Sequence, residues 1–203
     1  NKSIELCLLL SLPASLGLIF ASYEIVSGLF GYGAFLPQDV KMTSDALKFF
    51  AFGIVAFALV KILSNFFFAR DNTKTPFYIS SIIVILNVSI SLIFFSTIGF
   101  LIIPIATSIS TWAGVIIYLY FLTKNNFLLL QKKLFYSAIK IIISSIIMSF
   151  ILVTLLKYYA GYLEYSYMYK SIYLLSIIGF AGFIYLLICY LMGLLKIKNY
   201  KTN

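Results

Sequence analysis

Six apolar stretches, each long enough to cross a bilayer as a helix, make up most of this chain, and most of its charge falls between them. A hydrocarbon core takes about 20 apolar residues to span in helical form. Hydropathy places the spans at residues 5–30, 45–69, 76–96, 101–123, 134–156 and 171–195. Lipid offers the backbone no hydrogen-bond partners, so every N–H and C=O in such a span must be satisfied within its helix. Composition agrees: 63% of the 203 residues are apolar and 10% are charged, whereas a water-soluble domain carries roughly 25% charge. The expected fold class is all-α, a polytopic transmembrane helical bundle of six spans.

Local chemistry predicts several span ends. Thr43, Ser44 and Asp45 offer caps for the second span, with Asp45 near the positive end of the helix dipole. Thr75 before Pro76 is a cap followed by a first-turn proline, so the third span should start there. Gly99 should break the tight connection to the fourth span, and Pro104 falls where a missing N–H costs least. Pro13 should kink the first span. The opening NKSIELCLLLSLPASLGLIFAS mimics a signal peptide and begins with Asn1, as a fragment or processed product would. Glu5 and the apolar pattern continuing to Phe30 make it a membrane helix instead.

An even number of spans puts both chain ends on one side. With them fall Lys2, Arg70, Lys74, Lys124, Lys132, Lys133, Lys140, Lys196, Lys198 and Lys201; Lys41, Lys48, Lys157 and Lys170 fall opposite. Ten against four makes the termini cytoplasmic by the positive-inside rule. The lysines sit at span ends rather than along one amphipathic face, so the net charge of +9 does not indicate a nucleic-acid partner. The tyrosines of KYYAGYLEYSYMYKSIY (157–173) suit a headgroup interface, although such a cluster also suits a sugar.

Catalysis lacks its usual parts. Histidine is absent, Cys7 and Cys189 lie far apart in apolar runs, and no carboxylate pair, nucleophile–base set, phosphate loop or metal cluster occurs. The chain is therefore not expected to be an enzyme. Ionisable or polar groups inside spans are the functional candidates, because the bilayer penalises them. Lys61 lies nine residues before Arg70, roughly 13 Å along a helix; it faces a cavity or carboxylate partner, or snorkels partway to the surface. Glu24 lies near the outer end of the first span. Asn87 and Ser91 share a helix face and lie level with Thr107 across a tight hairpin, a pattern read either as interhelical hydrogen bonding or as a set of neutral oxygens for a small cation. Ser137, Lys140, Ser144, Ser145 and Ser149 of the fifth span read as a stripe suited to close helix packing. ARDNTKTP (69–76) reads as a cytoplasmic hairpin. There Arg70 and Lys74 set topology and meet lipid phosphates, Asp71 pairs with either, and the turn serves as an anchor or as a gate.

LFGYGAF (29–35) and ALKFFAFGIVAFALVKILSNFFFARDNTKTP (46–76) resemble the signature of the MurJ (MviN) lipid II flippases, which is close to LFxRGAF followed by LVKVL and DTxTP elements. ILNVSISLIFFSTIGFLIIPIATSISTW (85–112) continues the likeness, which covers roughly residues 12–123; two further helices are expected after it by analogy. The resemblance implies the last six helices of a fourteen-helix transporter in the multidrug/oligosaccharidyl-lipid/polysaccharide exporter superfamily. Residues 1–124 would be the last four helices of the second lobe and 125–203 two additional helices. Such proteins move lipid-linked peptidoglycan precursor from the cytoplasmic to the periplasmic leaflet of the bacterial inner membrane by alternating access. The implied partners are lipid II, membrane lipids and the N-terminal helices of the same protein.

Residue by residue, the resemblance places Lys61 by a central cavity and the DTxTP loop on Asn72 to Pro76. Asn72 stands where an Asp is frequent, the acid here being Asp71. It implies a sodium ion held by Asn87, Ser91, Thr107 and the Ile103 carbonyl, with Ser91 where an acid can occur, and no other cofactor. Tyr32 stands at the arginine of LFxRGAF. The cavity arginines implied to hold the substrate diphosphate belong to earlier helices, outside this chain. The last two helices would line a groove for the undecaprenyl tail. An exporter of another lipid-linked oligosaccharide or of a drug-like substrate, and a non-transporting scaffold for cell-wall enzymes, are the alternatives.

Overall fold

Every apolar stretch becomes helix in the computed structural model, which describes residues 2–125, 127 and 131–194. The helices are α1 (Lys2–Phe20), α2 (Ser22–Phe30), α3 (Pro37–Phe68), α4 (Lys74–Ile98), α5 (Ile102–Lys124), α6 (Lys132–Tyr158) and α7 (Lys170–Leu191). Five continuous helical stretches are long and apolar enough to cross a membrane, and the longest, Lys74–Lys124, holds both α4 and α5. Gly99, at φ +72°, opens a single 3-10 turn (Gly99–Leu101) that folds α5 back along α4. With α1 and α2 counted together, the described residues make six crossings, which places Lys2 and Leu191 at the same end of the bundle. Residue 195 of the last expected span, and Lys196, Lys198 and Lys201, lie outside the described residues.

The first crossing is interrupted eight residues after Pro13. Helix α1 runs through Pro13, and the interruption comes at Ala21, at φ −111° and ψ 16°. The helical bonds Ala21 N–H to Gly17 O and Ile25 N–H to Ala21 O persist across it, at 2.9 and 2.8 Å. Ala21 is fully buried among Met148, Leu152 and Leu174, so the bend follows tertiary packing. Proline still acts, through the carbonyl it leaves free. Pro13 has no N–H to give Leu9 O four residues back, and the Tyr185 hydroxyl of α7 donates to that oxygen at 2.7 Å. Tyr185→Phe removes this bond while keeping the ring, and should cost about 1 kcal/mol. Thermal unfolding in detergent would register the loss, and an unchanged midpoint would show the bond to be worthless.

Helix α3 starts eight residues before its expected beginning. Pro37 occupies its first turn, and Asp39 Oδ2 accepts the Leu36 N–H at 2.9 Å. Ser44, expected as a cap, donates to Lys41 O within the helix. The resulting 32-residue helix packs against α1, α2 and α5.

Side-chain bonds to backbone carbonyls stitch α3 to its neighbours: Ser15 to Ala51 O (2.6 Å), Ser108 to Phe49 O (2.7 Å) and Trp112 Nε1 to Phe52 O (3.0 Å). Lipid offers helices no hydrophobic drive to associate, so close packing and such bonds hold them together. One apolar core joins Ile4, Leu63, Phe67, Ile79, Tyr118 and Leu134, drawn from α1 and α3 to α6. A second joins the Ala21 bend to α6 and α7 through Leu152, Leu156, Leu174, Ile177 and Cys189.

Candidate functional site

Lys61 lies on the open face of α3. Phe50, Phe57, Lys61 and Phe68 recur at helical spacing and are all exposed, while Ala56, Leu63 and Phe67 turn to the core. Among the described residues, no hydrogen bond or ion pair engages its ammonium. An ammonium on a mid-helix stripe of this kind is unsuited to lipid and suited to a polar space beside α3.

The 70–76 hairpin is held by its own side chains. Asn72 Oδ1 accepts the Thr75 N–H at 3.1 Å and its Nδ2 donates to Thr75 Oγ1 at 3.0 Å, so Asn72, rather than Thr75, supplies the cap of α4. The helix begins at Lys74, two residues before Pro76. Asp71 takes a left-handed conformation at φ +55°, which short polar residues tolerate better than most. Arg70 is committed elsewhere: its Nη1 donates to Phe66 O at 2.7 Å and its guanidinium lies 4.4 Å from the Phe127 ring centre. Lys74 lines a shallow hollow with Thr73, Phe77 and Tyr78. Lys61 lies about two and a half turns of helix before Arg70, and no hydrogen bond or ion pair among the described residues joins its ammonium to the hairpin.

The four residues expected around sodium are brought together only in part. Asn87 Nδ2 donates to Thr107 Oγ1 at 2.9 Å, and that hydroxyl donates to Ile103 O at 2.7 Å. Ser91 Oγ is buried with no partner among the described residues. A sodium site needs converging oxygens; here the Asn87 amide nitrogen faces the Thr107 hydroxyl, which in turn donates to the Ile103 carbonyl. In this arrangement Asn87 and Thr107 tie α4 to α5 by a neutral hydrogen bond.

Between α1, α6 and α7 lies an apolar groove of about 610 Å³, lined by Leu10, Pro13, Met148, Leu152, Phe183 and Leu186 among others. Gly17, Gly179 and Gly182 also line it, and a Cβ built on any of the three would meet nothing within 4 Å. Their absent side chains keep the groove wide; no neighbouring helix needs the space. Each glycine costs its helix about 1 kcal/mol relative to alanine. Individual glycines were not foreseen as site residues, although the three-residue spacing of Gly179 and Gly182 puts them on one helix face, a signal visible beforehand.

A second unforeseen residue is Lys170, which counts only as a topology charge in the sequence. It is 1% exposed. Its Nζ donates to Gly31 O and Tyr165 O, both at 2.7 Å, and lies 4.4 Å from the ring centres of Tyr32 and Tyr165. Tyr32, at the arginine position of the signature, therefore meets a cation supplied by another helix. Around this point, the tyrosines of 158–173 form an edge-and-face cluster in which Tyr162 stacks on Tyr173 at 4.8 Å.

Comparison with known proteins extends the likeness beyond residue 123. The family model described as lipid II flippase MurJ matches residues 1–175. A probable lipid II flippase MurJ of Rickettsia prowazekii is 34% identical over all of this chain, and one of Thermotoga maritima is 35% identical over 78% of it. The chain spans 40% and 32% of those two relatives. A solved lipid II flippase MurJ in an inward closed conformation superposes on 95% of the chain with a TM-score of 0.77 at 27% identity, and the chain covers 38% of it. With six apolar crossings, the signature on α2 and α3 and these likenesses, the chain is a multi-pass membrane protein and belongs to the lipid II flippase MurJ family.

Proposed function

We propose that this chain is the last six helices of a fourteen-helix transporter that carries lipid II from the cytoplasmic to the periplasmic leaflet of the bacterial inner membrane by alternating access, with no bond made or broken. Residues 1–124 would then complete the second lobe and 125–203 would add two helices, α6 and α7, which pack on the lobe through α1 and α2. The excess of basic residues at the terminal end of the bundle supports cytoplasmic termini, with Arg70, Asp71 and Lys74 at the inward mouth. The N-terminal helices of the same protein would face the Lys61 stripe and enclose the headgroup cavity.

The glycine-floored groove carries this reading. Its volume falls within the range of about 300–1,000 Å³ usual for ligand pockets, its lining is apolar, and its open side suits a long hydrocarbon chain entering from lipid. Lys61 on the neighbouring α3 face would attract the anionic headgroup, so one substrate with a greasy tail and a charged head meets both features. Gly182→Trp in the full-length protein fills the groove where the structure leaves room. Binding of lipid II to that variant in proteoliposomes should weaken by about tenfold, the equivalent of 1.4 kcal/mol, while a soluble headgroup lacking the isoprenoid binds as before. Equal weakening of both, or of neither, would remove the groove from tail binding.

A further inference from the structure

The end of the bundle opposite the chain termini is fastened by a buried charge that no carboxylate neutralises among the described residues. Lys170 opens α7, and its ammonium reaches across 139 positions of sequence to the Gly31 carbonyl. A desolvated ammonium is costly unless its donors are used. Here two carbonyls take two of them and two tyrosine rings face the remaining charge, an arrangement that cation–π attraction favours most where water is excluded. Gly31 makes the approach feasible, since a Cβ at that position would lie 3.1 Å from Lys170 Nζ.

Three more bonds surround the pin. Ser171 Oγ donates to Gly28 O at 2.6 Å, which spends its only proton, so the Tyr32 hydroxyl is the donor in its 2.7 Å bond to Ser171. Tyr165 OH donates to Phe35 O at 2.6 Å. The bonded carbonyls, at residues 28, 31 and 35, bracket the corner that joins α2 to α3, and α3 begins two residues later at Pro37. Moving the start of α7 away from the start of α3 therefore requires pulling the ammonium from the Gly31 carbonyl and the Tyr32 ring.

We infer that Lys170 is a pin that makes the outer ends of α7 and α3 one rigid body, so that the groove-bearing hairpin and the Lys61-bearing helix move together. The pin stands on its own geometry, and only its use in transport rests on the function proposed above. Bonds of this kind either hold or break, which gives the corner two discrete states instead of a graded flexibility.

The test is a distance measurement on the full-length protein. Spin labels at Met42→Cys on α3 and Ile172→Cys on α7, both exposed positions, are placed in a background stripped of other cysteines. With Lys170 intact the distance distribution should be single and narrow. Lys170→Met should broaden it by about twofold or more, and Lys170→Gln serves in the same way if the methionine variant does not fold. Ser171→Ala, which keeps the ammonium and its carbonyls, should leave the distribution narrow. A narrow distribution in Lys170→Met, or equal broadening in Ser171→Ala, overturns the pin. Neither outcome involves substrate, so a pin that holds in a protein unable to bind lipid II would instead count against the proposed transport.

Discussion

Lys61→Ala is expected to abolish most transport while leaving the fold unchanged. The side chain is exposed and engages no partner among the described residues, so its removal should alter unfolding free energy by less than about 0.5 kcal/mol. An ammonium on this face of α3 suits a polar space rather than lipid, and no partner among the described residues engages it. An anionic substrate would. Losing one charge-assisted hydrogen bond, worth about 1.5–3 kcal/mol, slows translocation roughly 10- to 150-fold. Lys61→Arg keeps the charge and should retain part of the rate, whereas Lys61→Gln should behave as alanine does. Translocation of lipid II in proteoliposomes, alongside a melting curve for each variant, separates the two effects. Transport at the wild-type rate in the alanine variant would take Lys61 out of the mechanism.

The largest effect on stability should come from Gly53→Leu. At the crossing of α3 and α5, a Cβ on Gly53 would lie 2.8 Å from Ser108 Oγ, 2.9 Å from Phe57 and 3.3 Å from the Ser108 Cα. The first two neighbours are side chains; the third is backbone and gives way only if the helices part. Parting them also pulls apart the Ser108 and Trp112 bonds to α3 carbonyls. Overpacking at about 1–3 kcal/mol and two interhelical bonds at about 0.6 kcal/mol each give a loss of about 2–4 kcal/mol. Gly182→Leu is the natural control, since nothing lies within 4 Å of a Cβ there; it should leave stability unchanged or raise it by up to about 1 kcal/mol. Unfolding by titration with denaturing detergent would compare them, and equal losses would show that close approach at Gly53 is not what holds the seam.

Much of the fold could be read from the residues because the bilayer enforces a simple rule: a run of apolar residues about 20 long is a helix. The six crossings, the turn at Gly99 and the level pairing of Asn87 with Thr107 all followed from that rule and from helix spacing. What escaped depends on contacts between residues distant in sequence. The bend at Ala21 is set by Leu174 and its neighbours, more than 120 positions away, and no local signal marks it. The early start of α3 was legible in part, since Pro37 and Asp39 are a good opening, but Thr43 to Asp45 offered an equally good one closer to the apolar run. Lys170 looks like any other lysine between spans until Gly31 and Tyr165 are seen around it. Asn87 and Thr107 meet across the hairpin as their level pairing predicts, whereas the surroundings of Ser91 and the orientation of the Asn87 amide depend on packing that helix spacing does not specify.

The free carbonyl of α1 has a consequence for how this bundle tolerates change. Because Tyr185 reaches a main-chain oxygen, the identity of residue 9 is immaterial to the link, whereas residue 13 is decisive. Any replacement of Pro13 restores an amide that competes for the same acceptor, so a substitution that mends the first helix would loosen its hold on the last. A blemish in one rod is thus the socket for another.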